Sequence, residues 1–116
     1  MPIEIPGIDE QSVLDLYDND MEAYTTILRS FVSRIPAVLE KIRDVSSETL
    51  PDYLIKIHSL KGSGGSIGAK ETMAAAARLE AMAKNGDLAG VRAENGNFLE
   101  KVGVLMGDIK KWLEQS

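Results

Sequence analysis

Residues 20–45 read DMEAYTTILRSFVSRIPAVLEKIRDV. Within them Tyr24, Ile27, Leu28, Phe31, Ile35, Val38, Leu39, Ile42 and Val45 recur at steps of three and four. That spacing stacks side chains on one face of an α-helix. Asn19 or Asp20 can accept from the first free N–H groups and cap its start. Pro36 removes one N–H and crowds the turn before it. The apolar recurrence continues beyond it, so a kink rather than a stop is predicted.

The same period governs the rest of the chain, and period-2 runs of β-branched residues are missing. Residues 1–8 form an extended strap. Asp9 can cap a short first helix carrying Val13, Leu16 and Tyr17. After a polar break at Ser46–Thr49, Thr49 can cap a third helix with Pro51 in its first turn. Its apolar face is Leu50, Tyr53, Leu54, Ile57, Leu60 and Ile67, and a small-residue segment, Gly62 to Gly68, follows. An alanine-rich helix from about Ala69 to Lys84 buries Met73, Ala76, Leu79, Met82 and Ala83 and stops at Asn85-Gly86. Asp87 caps the last helix, whose stripe is Leu88, Val91, Phe98, Val102, Leu105, Ile109 and Leu113. Gly103 and Gly107 suggest a close approach of that helix to a neighbour. Long helices with short connections predict an all-α fold, an antiparallel four-helix bundle with a short additional N-terminal helix. The whole chain, 1–116, reads as one domain, with the bundle over 9–116.

Composition narrows the chemistry. The formal net charge is −5 and the pI about 4.8, which argues against nucleic acid as a partner, because phosphate neutralisation needs a basic face. The absence of cysteine excludes disulfides and thiolate metal sites, and one histidine excludes an imidazole-built zinc site. No metal site is expected. No stretch approaches the roughly 18 apolar residues of a membrane span, and Met1 to Glu10 lacks the charged and apolar regions of a signal peptide. A cytoplasmic protein without direct membrane contact is expected.

The informative chemistry lies in Ile57-His58-Ser59-Leu60-Lys61-Gly62-Ser63-Gly64-Gly65-Ser66-Ile67-Gly68-Ala69. On a helix with Ile57 at the centre of the buried face, Leu50, Leu60 and Gly64 fall within about 60° of it. His58 falls about 100° away and faces outward, with Gly62, Gly65 and Ala69 in its own stripe. Each glycine in a helix costs roughly 1 kcal/mol relative to alanine, so Gly62 and Gly65 need a reason. They leave the imidazole standing over bare backbone, where a side chain at 62 is expected to crowd it and a partner's reactive group can approach. Lys61 adds a positive charge where an anion would sit. An exposed imidazole is largely neutral at pH 7 and nucleophilic, so this pattern points to reversible phosphoryl transfer through nitrogen. The glycines form neither a Walker loop nor a dinucleotide fingerprint. On these residues alone, an ordinary surface histidine beside a glycine loop stays open.

The segment resembles the signature of histidine-containing phosphotransfer (HPt) domains: His58-Ser-Leu60-Lys61-Gly62-Ser63, then Gly68-Ala69 and Leu79-Glu80. The strap Ile5-Pro6-Gly7-Ile8-Asp9 is similar to the start of HPt domains appended to hybrid sensor kinases, and Tyr24, Phe31 and Pro36 also fit. Ile57, where alanine is common, and the Gly64-Gly65 pair depart from the pattern. The resemblance implies that His58 is the phosphoacceptor, that Lys61 supports the phosphate, and that Gly62 and Gly65 admit a receiver. With Ile55, Ser66 and Ala69 they would form the docking surface, although Ile55 could equally pack under the first helix. The implied partners are response-regulator receiver domains and a hybrid sensor histidine kinase. The chain would act as a monomer with no cofactor of its own and no ATP site, Mg²⁺ coming from the receiver. The alternative is a helical interaction domain that binds a receiver or kinase without phosphotransfer.

Overall fold

The computed structural model describes residues 2–115 and contains five helices: α1 (Glu10–Leu16), α2 (Met21–Lys41), α3 (Leu50–Ser66), α4 (Lys70–Lys84) and α5 (Leu88–Gln115). No strand occurs among the described residues. Asp20 caps α2, its side chain accepting from Ala23 N–H at 3.1 Å. Pro36 lies inside α2, which continues one turn beyond it. The helix then ends at Lys41, short of the predicted Val45. The N–H of Ile42 is shared between the carbonyls of Val38 and Leu39, and Val45 is buried from the following turn instead. Thr49 stands at the start of α3, but its hydroxyl pairs with Ser46 rather than with the helix. Asp87 opens α5 by accepting from Gly90 N–H at 2.9 Å.

Side-chain bonds between distant segments set the helix directions. Tyr24, near the start of α2, donates to the carbonyl of Ile67 beyond the end of α3 at 2.7 Å. At the opposite end, Asn95 of α5 donates to Ile42 O and accepts from Tyr53 of α3, at 2.8 and 2.9 Å. The end of α2 therefore meets the start of α3, and these two helices run in opposite senses. Gly68, with φ of +80°, turns the chain from α3 into α4, which runs back along α3. The 28 residues of α5, about 42 Å of helix, span the 45 Å long axis of the molecule.

One cluster of buried residues fills the interior, with contributions from all five helices and from Ile3 and Ile5 of the strap. The strap is held by Ile3 N–H donating to Glu10 and by Trp112 Nε1–H donating to the carbonyl of Pro2, at 2.7 and 3.1 Å. Several predicted core positions are corrected. Leu16, the last residue of α1, and Met73, in the first turn of α4, are exposed. Trp112 is buried where Leu113 is only half-buried. Gly103 and Gly107 are exposed with open space around them. The close helix approach occurs instead at Gly64, where a β-carbon would lie 3.2 Å from the backbone nitrogen of Met73 on α4. Among the described residues no helix is long and apolar enough to cross a membrane.

Candidate functional site

His58 sits in the middle of α3, and the helix continues through the glycines to Ser66. Glycine propensity alone opposes this last turn. Local bonds and two tertiary ones offset the cost by occupying carbonyls at this end of the helix. Ser66 Oγ donates to Gly62 O, Tyr17 to Ser66 O, and Tyr24 to Ile67 O. Backbone N–H groups of Ile67, Gly68 and Ala69 take the carbonyls of Ser63, Gly65 and Gly64. Burial pushes the Tyr24 phenol above its ordinary range, so it stays a donor.

The imidazole is 67 % exposed. Its Nδ1 lies against Oε2 of Glu80, a side chain on α4 that is only 5 % exposed. Lys61, one turn beyond His58, donates from Nζ to Oε1 of the same carboxylate at 2.6 Å. Lys84, one turn beyond Glu80, places Nζ 3.9 Å from Oε2. The hydrogen bonds from Lys61 and then from His58 hold the Glu80 carboxyl at about 2, below its ordinary 4.5, against the opposing effect of burial. An ionised carboxylate only accepts. Nδ1 therefore carries the proton, which assigns the tautomer and leaves the lone pair on Nε2, the nitrogen away from Glu80.

The predicted stripe around His58 is partly assembled. Ile55 is 69 % exposed, and Ser66 and Gly62 also face solvent. Gly65 is half-buried, and a β-carbon there would meet Met73 Sδ at 3.1 Å. A β-carbon at Gly62 meets nothing within 4 Å. No crowding of the imidazole by that carbon is therefore found, and what the glycine leaves clear is space for an incoming molecule. Ala69 is a correction: it is buried, because the left-handed Gly68 ends the helical register before Ala69 can join the His58 stripe. Lys61 is also differently employed. In the free protein its ammonium is bonded to Glu80 rather than directed at open solvent.

Three features were not assigned by sequence. Glu80 appeared only as part of a Leu-Glu pair. Its spacing was a signal, since it falls in the buried stripe Ala76, Leu79, Ala83, where a carboxylate needs partners. Lys84, at the helical step of four from Glu80, was the second. The third is a shallow groove between α2 and α3, lined in part by Ile27, Arg34, Ser59, Gly62 and Ser66. Among the described residues no group of three or more His, Cys, Asp or Glu is placed to hold a metal ion.

An outward imidazole over clear helix surface, with an anchored Nδ1–H, matches what a phosphohistidine carrier needs. The family model of the Hpt domain matches residues 26–115. The chain belongs to the Hpt domain family. Hpt domains carry out histidine phosphotransfer in two-component phosphorelays and interact there with receiver domains and kinases. Comparison with curated proteins and with solved structures gives no significant match.

Proposed function

We propose that His58 is the phosphoacceptor of this Hpt domain and that Nε2 is the atom that takes the phosphoryl group. The observation carrying this reading is the contact of His58 Nδ1 with the buried Glu80 carboxylate, which assigns the proton to Nδ1 and leaves the Nε2 lone pair on the solvent side. Nε2 attacks the phosphorus of an aspartyl phosphate on a receiver domain, in line with the departing oxygen. The N–P bond forms as the P–O bond to aspartate breaks, and the aspartate leaves as a carboxylate. Nδ1 keeps its proton, so the ring gains a positive charge that faces ionised Glu80. The reverse step delivers the phosphoryl group to an aspartate of another receiver. Mg²⁺ and the acidic residues that hold it belong to the receiver, and no cofactor of this chain takes part.

Lys61 supplies positive charge beside the phosphoryl group. Ile55, Gly62, Gly65 and Ser66 form the ground on which the receiver docks, with exposed Ile55 as its apolar contact. One chain suffices for the reaction, since every group invoked comes from α3 and α4. The work is cytoplasmic, and a hybrid sensor kinase is the upstream source.

The test mixes the protein with a phosphorylated receiver domain and Mg²⁺. Acid-labile, base-stable label is expected on the wild-type chain and none on His58→Gln. Equal labelling of both proteins refutes the assignment.

A further inference from the structure

The cations around Glu80 are not equivalent. Lys61 donates to Oε1 at 2.6 Å and its side chain is 32 % exposed. Lys84 stands 3.9 Å from Oε2, beyond hydrogen-bond distance, and is 62 % exposed. A buried carboxylate needs a close cation to offset its lost hydration. Lys61 and the His58 N–H already meet that need, so Lys84 is surplus in the free protein. It ceases to be surplus once a dianion sits on Nε2. Lys61, on the same helix as His58 and one turn away, is then contested between a dianion and a monoanion, and the dianion attracts it more strongly. Glu80 would be left with the Nδ1–H alone, at the moment when the ring above it carries a positive charge.

We propose that Lys84 is the reserve counter-ion of Glu80. When the phosphoryl group draws Lys61 away, Lys84 closes its gap to Oε2 and keeps the carboxylate ionised beneath the ring. This inference rests on the phosphotransfer reading. The geometry suits the exchange. Glutamate four residues before lysine is the favourable order on a helix face, and a compact ammonium on a flexible stem moves readily. Charge balance points the same way: the two ammoniums and the ring charge cancel the dianion and Glu80 only when Lys84 is counted. Lys84 is thus a positioning residue that acts through Glu80.

The experiment measures how label distributes at equilibrium between a receiver aspartate and His58, with Mg²⁺ present and the full chain used. Lys84→Gln is expected to shift the distribution about two- to fivefold toward the receiver, the scale of an exposed ion pair. Lys84→Arg restores it, and roughly 1 M salt erases the difference. The melting temperature of the unphosphorylated variant stays within about 2 °C of wild type. In a Lys61→Gln background the Lys84→Gln shift shrinks, because Lys84 then serves Glu80 in both states and the two substitutions are not additive. An unchanged distribution in Lys84→Gln overturns the proposal, and so does a full-sized shift that persists in the Lys61→Gln background. No label on the wild-type chain overturns the phosphotransfer reading itself.

Discussion

Nδ1–H of His58 is turned onto Oε2 of Glu80, so a ring open to solvent is anchored on a carboxylate buried between α3 and α4. Two functions that compete in most side chains are separated here. One ring nitrogen is committed to the protein and holds the orientation. The other has no hydrogen-bond partner among the described residues. The arrangement depends on Glu80 being ionised, and Lys61 contributes most to that.

Glu80→Gln tests the anchor. The amide can still accept from Nδ1–H, but its NH₂ faces the Lys61 ammonium as donor against donor. The charge opposing the ring is also gone. Transfer from a phosphorylated receiver to His58 is expected to slow about ten- to a hundredfold, as for loss of a hydrogen bond to a charged group. Nitrogen NMR should show both neutral tautomers where the wild type shows Nδ1–H. An unchanged rate with a single tautomer would contradict the role given to Glu80.

Acid should loosen the fold through two carboxylates. Glu80 is held at about 2 against an ordinary 4.5, facing Lys61, His58 and Lys84. Asp9 is held at about 2 against 3.8, chiefly by Lys70 and then by Ser12. In both, the folded value lies below the unfolded one. Their stabilisation is therefore complete above the unfolded values and is lost as pH falls from about 4.5 towards 2. Urea midpoints measured from pH 7 downward should drop in that window, and Asp9→Asn with Glu80→Gln should flatten the drop. The Asp9 share fades with salt, since its pair with Lys70 is solvent-accessible.

Two glycines of the motif should respond to alanine with opposite signs. At Gly68 the φ is +80° and a β-carbon would lie 2.5 Å from Val13 Cγ2. Gly68→Ala is expected to destabilise by about 2 kcal/mol or more, from the left-handed backbone and the clash together. Gly62 lies inside α3 with open space around it, so Gly62→Ala should stabilise by about 0.5–1 kcal/mol through helix propensity. Transfer from the receiver should nevertheless fall. Denaturant curves and labelling rates on the same proteins check both halves, and a Gly62→Ala protein that transfers normally would remove the access argument.

Tyr53→Phe probes the buried bond at the far end of the molecule. It leaves the Asn95 Oδ1 without its donor in a site where every buried side-chain polar atom of the described residues is now paired. Denaturant unfolding should report a loss of about 1–3 kcal/mol, with phosphotransfer at His58 unaffected. A loss below about 0.5 kcal/mol would mean that water reaches Asn95.

What the amino-acid order determines alone is local and periodic. Steps of three and four placed the helices and the outward direction of His58, because a side chain's bearing on a helix follows from its own backbone, and residue type marked the Asn85-Gly86 stop. The continuing apolar recurrence also showed that α2 runs on past Pro36, as it does. The tertiary structure decided what depends on a second segment. Whether the glycine-rich end of α3 coils or unwinds turned on the hydroxyls of Tyr17 and Tyr24, far away in the chain. Whether Ala69 joins the surface turned on one positive φ at Gly68. The partner of the imidazole, and the nitrogen it frees, came from a glutamate on the next helix. Periodicity reports which way a residue faces. Only packing brings the facing group within reach, and hydrogen bonds and ion pairs act at that range.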